Sequence, residues 1–268
     1  MKSRLSVRYV LAASAALLLM VAVPANAGSS DAYLKPALKA GEHLLDVFSK
    51  AVSIQGTGFD EYVKRVSGSA DYTVSGLTGD GISFSSDYRY DGRGSGSGSY
   101  KAMADGMTNC NQGKCSVDDE TSGLLFNPLL WGPVPKDIHV GSSWTVHIAQ
   151  SWEIGPPGTE EVRVVSLDPA NGGITLAREG SGSGTSSDDE ARVQSGKPVT
   201  ITKDGKQIEV SVVPGATHWS GYTTIRKGVI IGDVIMVERH VTLVAKNGEK
   251  FEGEERSYTL LDLLQDKV

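Results

Sequence analysis

The chain has 268 residues, a formal net charge of −6 and 39% hydrophobic residues. An acidic surface repels nucleic-acid phosphates and anionic lipid headgroups, which removes nucleic acid from the candidate partners. With 32 glycines against 10 prolines, the composition favours turns and extended strands over long helices.

Residues 1–27 read as a secretory signal peptide. Lys2, Arg4 and Arg8 give a basic start, and an apolar run follows from Tyr9 to Val23. That run is shorter than the roughly 20 residues a bilayer-spanning helix needs. Pro24 interrupts it, and Ala25-Asn26-Ala27 supplies the small residues that precede signal-peptidase cleavage. The reading places residues 28–268 in the bacterial periplasm or outside the cell, as one β-rich domain with no stable membrane span. The leader holds basic residues only, so the remainder is more acidic than the whole.

Ala32 to Val52 has helical spacing. Leu34, Leu38, Leu45, Phe48 and Val52 fall near one face and Pro36 suits a first turn. The segment is expected as one amphipathic helix, packed on a sheet or lying as a lid over a cavity. After Gly56 the period becomes two. Ala70, Tyr72 and Val74 alternate with polar residues, Thr78-Gly79-Asp80-Gly81 signals a turn, and Ile82, Phe84, Ser86, Tyr88 and Tyr90 resume the alternation. Two glycine-serine stretches, 92–99 and 180–185, read either as flexible loops or as strands with one face reduced to glycine. Neither ends in the Gly-Lys-Ser/Thr of a phosphate loop.

Cys110 and Cys115 bracket Asn111-Gln112-Gly113-Lys114. In an oxidising compartment two cysteines around a short turn are expected to form a disulfide. The spacing differs from a C-x-x-C redox pair, and no further Cys or His nearby completes a metal site. Leu124 to Trp131 is the most hydrophobic stretch after the leader and reads as a short turn plugging the sheet or rimming a pocket.

Trp144, Val146, Ile148, Gln150 and Trp152 are expected on one strand face, followed by strands through Val162 and Val164 and through Ile174 and Leu176. Hairpins are predicted at Asp204-Gly205, Lys227-Gly228 and Asn247-Gly248, since such dipeptides between alternating runs are strong hairpin signals. The whole reads as an all-β, mainly antiparallel meander of about ten strands, a curved sheet or half-barrel with one N-terminal helix.

No nucleophile elbow or zinc-protease motif is present. The five histidines, His43, His139, His147, His218 and His240, are scattered and have no metal-ligand spacing. Asp118-Asp119-Glu120 and Asp188-Asp189-Glu190 lack the ligand order of a calcium loop and read as solvated loops. Glu160-Glu161 and Glu254-Glu255 carry the residue type of glycosidase acid–base pairs. No cofactor or metal is implied. Trp144 and Trp152 are the candidate ligand-binding residues, as aromatics lining an apolar space inside a curved sheet.

Pro135-Lys136-Asp137-Ile138-His139-Val140-Gly141-Ser142-Ser143-Trp144 resembles a segment of exported bacterial β-rich proteins of uncharacterised function. Some of these are similar to the half-barrel lipoprotein carriers of the bacterial envelope. Ser142 stands where an acid is frequent in that segment. The resemblance implies an envelope setting and a curved sheet, and assigns no catalytic residue. Three functions follow in order: a non-enzymatic binder of an apolar, lipid-like ligand or an envelope partner; a structural or interaction protein without a small ligand; and a secreted hydrolase with an unrecognised site.

Overall fold

The computed structural model describes residues 28–264, apart from 79–80, 93, 104–107, 112–113, 117–131, 195 and 197. The elements are β1 (Gly28–Ser29), α1 (Asp31–Leu34), β2 (His43–Gly56), β3 (Tyr62–Thr78), β4 (Gly81–Tyr90), β5 (Gly94–Met103), β6 (Thr108–Asn111) and β7 (Lys114–Ser116). They continue as β8 (Asp137–Ile138), β9 (Ser143–Ile148), β10 (Gly158–Asp168), β11 (Gly173–Ser183) and α2 (Ser187–Gln194). The chain closes on β12 (Val199–Lys203), β13 (Lys206–Arg226), β14 (Val229–Ala245) and β15 (Lys250–Leu264). The segment expected as a signal peptide, residues 1–27, and the expected Leu124–Trp131 turn lie outside the described residues.

One open antiparallel sheet dominates, in the order β5-β4-β3-β2-β15-β14-β13-β11-β10-β9, with β12 paired to β13. Two meanders, β2 to β5 and β9 to β15, meet where β2 pairs β15. The sheet curls strongly. Asp60, just before β3, bridges Thr202 of β12, although the sheet path between those strands runs through β13, β14, β15 and β2.

Hairpin chemistry sets the register as expected. Asp204 and Gly205 have φ of 49° and 75°, and Lys227 and Gly228 have 51° and 74°. Positive φ at both central residues is the turn whose twist suits paired strands. Strand β13 runs unbroken for 21 residues through Pro214, where a register shift against β14 absorbs the missing N–H.

The expected helix over residues 32–52 does not form. Helix α1 stops at Leu34 because Pro36 forces Lys35 into an extended conformation, φ −77° and ψ 126°. Residues 43–56 are strand. Their burial alternates, with Leu44, Asp46 and Phe48 inside and Leu45 and Val47 exposed. The apolar spacing fits either period, and pairing with β3 and β15 over the full strand decides for the sheet.

Both glycine-serine stretches run in strands over most of their length, 94–99 in β5 and 180–183 in β11. A Cβ on Gly96 would sit 2.5 Å from the Tyr88 hydroxyl oxygen, and one on Gly180 would sit 2.5 Å from the Trp219 ring. Each glycine is where an aromatic ring lies flat against a neighbouring strand. Strands β6 and β7 pair around the cysteine turn. The side chains of Cys110 and Cys115 lie outside the described residues, and no disulfide is described.

Candidate functional site

The inner face of the curled sheet holds charge as well as hydrophobic core. Strand alternation explains how it gets there. Glu160 and Glu255 point inward and are buried, while Glu161 and Glu254, their sequence neighbours, point to solvent. The two glutamate pairs are therefore split across the sheet and form no acid–base pair with each other.

Arg178 on β11 is 1% exposed. Its Nε and one terminal nitrogen grip both oxygens of Glu160 at 3.2 Å. The other terminal nitrogen donates to Thr223 Oγ1 at 3.3 Å, and that hydroxyl donates to Asp233 Oδ1 at 2.5 Å. Trp219 Nε1 donates to Glu160 Oε2 at 2.7 Å. The Arg178 guanidinium lies over Trp152, 5.7 Å from the ring centroid, and Trp152 meets Trp219 edge-on at 5.6 Å. Burial lifts the Asp233 carboxyl to about 6, and the Arg178 charge limits the rise.

Two further cations fasten covering segments onto this face. Lys50 on β2 bonds Glu153, in the loop after β9, at 2.7 Å and Asp188 of α2 at 3.1 Å. Burial disfavours the Lys50 charge, yet Glu153 and Asp188 hold its pKa above the ordinary lysine value. Arg239 on β14 holds both oxygens of Asp189 at 2.6 and 3.0 Å and reaches Glu255 at 2.8 Å. Burial pushes the Glu153 carboxyl up. It pushes Asp189 up as well, but the Arg239 hydrogen bonds outweigh it and hold that group low.

Asp188 and Asp189 of the acidic triplet are thus engaged by Lys50 and Arg239 at the start of α2, not in a solvated loop. Ser186 and Asp189 cap α2 reciprocally, Ser186 N donating to Asp189 Oδ2 at 3.0 Å and Asp189 N donating to Ser186 Oγ at 3.2 Å. This is a capping box, and the Ser-x-x-Asp spacing that announces it is visible in the sequence. Its companion triplet, Asp118-Asp119-Glu120, lies outside the described residues.

The predicted ligand-binding tryptophans differ in setting. Trp152 is not on a strand with Trp144, because β9 ends at Ile148. It sits in the following loop, buried, with its Nε1 donating to Pro156 O at 3.1 Å. Trp144 is half-buried on the inner face of β9 and packs against the same core. Of the histidines, His240 is exposed between Glu254 at 3.0 Å and Glu252 at 2.9 Å, and their hydrogen bonds raise its pKa.

At the α1 end of the sheet, the segment that replaces the expected helix borders a small pocket of about 190 Å³. Leu38, Leu44, Val229, Ile231 and Leu263 supply apolar wall, Arg226 and Lys227 supply positive charge, and Glu42 and His43 line it as well. Arg226 Nε is buried and has no hydrogen-bond partner. This is the pocket in which apolar surface and an unengaged donor come together. Sequence reasoning missed it, since its residues come from three separate segments, 38–44, 226–231 and 263–264.

Among the described residues no group of three or more His, Cys, Asp or Glu is arranged to hold a metal. No described helix is long and apolar enough to cross a membrane.

No family model matches the chain, and no curated protein matches it. Among solved structures, the chain is similar to DynF from the dynemicin biosynthesis pathway of Micromonospora chersina, at 8% identity over 89% of this chain and 85% of that one, with a TM-score of 0.18. It is also similar to a DUF3598-family protein of unknown function from Nostoc punctiforme, at 10% identity over 80% of this chain and 94% of that one, with a TM-score of 0.17.

Proposed function

We propose that this is a non-enzymatic protein of the bacterial periplasm or cell exterior that binds an apolar or amphipathic small ligand. The observation that carries the reading is the pocket between Leu38, Leu44 and Leu263, which Glu42, His43, Arg226 and Lys227 also line, with the Arg226 Nε–H buried and unpartnered. A buried donor without a partner costs about 1–3 kcal/mol, and a turn of the Arg226 side chain toward an anionic headgroup in the pocket would relieve that cost. The inner-face charges support binding over turnover, because Lys50, Arg178 and Arg239 are each engaged by carboxylates of the protein itself.

The pocket is smaller than the roughly 300 Å³ at which common ligand pockets begin. It suits a short chain or one end of a longer one. Trp144 and Trp152 serve in this reading as the packed interior that shapes the sheet.

Native mass spectrometry of protein from a bacterial envelope fraction tests the idea, together with a decanoate titration followed on the methyl signals of Leu38, Leu44 and Leu263. Decanoate should move those signals, and Arg226→Gln should weaken binding roughly tenfold, the value of one charged hydrogen bond. An empty protein whose leucine signals ignore decanoate would overturn the proposal.

A further inference from the structure

We propose that the outer face of the sheet, independently of the pocket, binds a protein segment that presents a lysine or arginine beside large apolar side chains. The argument starts from register. Glu161 on β10 and Glu179 on β11 are directly opposite one another, and both are exposed. Like charges directly opposite on one sheet face are destabilising. Among the described residues neither glutamate has a cationic partner, and Arg163, two residues along on the same face, forms no described ion pair with either.

The strands alongside carry apolar side chains where solvent is expected. Tyr222 on β13 pairs Val234 on β14, and Val234 pairs Leu260 on β15. Met236 pairs Tyr258 in the next row. Tyr222 is 55% exposed and Val234 52%. The patch is continuous across three strands, and its β13–β14 side opens into a groove of about 420 Å³ that Glu161 and Glu179 border together with Arg163, two acids to one exposed cation. A contiguous exposed apolar patch marks an interaction surface.

Charge complementarity identifies the occupant. The unneutralised acid pair lies at the edge of the apolar surface, so a bound cation would sit within reach of both carboxylates while its apolar neighbours cover Tyr222, Val234 and Met236. A basic residue is therefore the group the partner must bring. The acidic chain as a whole attracts the same partner at longer range.

Two synthetic peptides test this, one of alternating lysine and leucine and one of alternating glutamate and leucine, titrated by calorimetry onto the intact secreted protein. The lysine peptide should bind, should bind less well as salt is raised, and should lose at least tenfold in affinity to the Glu161→Gln/Glu179→Gln variant. That variant should unfold at the same temperature as the parent or higher, which separates lost recognition from lost folding. Glu252→Gln/Glu254→Gln, remote acids on the same sheet, should bind as the parent does. Equal binding of both peptides, or unchanged affinity in the Glu161→Gln/Glu179→Gln variant, overturns the proposal. So does a dimer in sedimentation that Val234→Glu dissolves, since the occupant is then a second copy. None of these outcomes depends on decanoate binding.

Discussion

The indole N–H of Trp219 donates to Glu160 Oε2 at 2.7 Å, with both side chains out of solvent. Arg178 holds the same carboxylate from the other side. Removing one partner of a buried charged group costs more than the bond itself contributes, because the remaining group stays desolvated. Trp219→Phe keeps an aromatic ring near Trp152 but deletes the donor together with part of the buried indole's volume. It should lower stability by about 1–3 kcal/mol in urea unfolding at neutral pH. An unchanged midpoint would mean that Glu160 finds another donor.

Asp46 gives the fold a pH dependence of known sign. It is 0% exposed, Oδ1 accepts from Ala70 N at 3.0 Å, and Oδ2 has no partner. Burial raises its pKa from 3.8 to about 7, against the hydrogen bonds from Ala70 and Tyr72. The folded state therefore keeps a proton that the unfolded state releases. Stability falls as pH rises from about 4 to 7, by a full value on the order of 4 kcal/mol for this group. Asp233, raised to about 6 by burial, contributes with the same sign over a narrower window. Asp46→Asn should be more stable than the parent above about pH 7, with the difference vanishing near pH 4. Parallel slopes of unfolding midpoint against pH would refute this.

Gly180 is required by its neighbour. A Cβ there would meet Trp219 at 2.5 Å and the Glu160 Cβ at 2.6 Å. Gly180→Ala should destabilise by about 1–3 kcal/mol through overpacking. Gly98, whose Cβ would have only Ser86 Oγ within reach at 3.9 Å, should accept alanine without loss. Thermal unfolding of the two variants compares them directly.

The antiparallel pairing of β6 with β7 sets Cys110 and Cys115 on adjacent strands of one hairpin. We expect a disulfide between them when the chain is held in an oxidising compartment. Alkylation before and after reduction reads the thiols, and two free thiols in freshly isolated protein would dismiss the bond. Cys110→Ser should cost roughly 2 kcal/mol, as a ring this small restricts the unfolded chain only modestly.

Processing should leave Gly28 as the first residue, since Ala25 and Ala27 occupy the small-residue positions before it. Amino-terminal sequencing of the soluble envelope fraction decides the point. An intact Met1 in the membrane pellet would count against it.

The hairpins at Asp204-Gly205, Lys227-Gly228 and Asn247-Gly248, and the alternation through Ala70, Tyr72 and Val74, were legible because they are local. A two-residue turn with positive φ at both positions, as at Asp204-Gly205 and Lys227-Gly228, a longer turn carrying a positive-φ glycine, as at Gly248, and a period of two need no distant partner to be recognised. The same alternation, applied to Glu160-Glu161 and Glu254-Glu255, already separates each pair onto opposite faces. The capping box at Ser186 and Asp189 was equally local, a signal present in the residues themselves.

The stretch from His43 to Gly56 was not legible. Its apolar residues satisfy both a helical and a strand period, and only pairing with β3 and β15 chooses between them. The interior charges lay further out of reach. Lys50 and Asp188 are 138 positions apart, and Asp189 reads as a solvated acid until the curled sheet brings Arg239 beneath it. By itself the amino-acid sequence determined the hairpin turns and the strands that alternate around them, since those depend on neighbours within a few residues. Tertiary structure alone decided which acids are buried, which cations hold them and where apolar surface stays exposed, because these depend on how far the sheet curls and what it encloses.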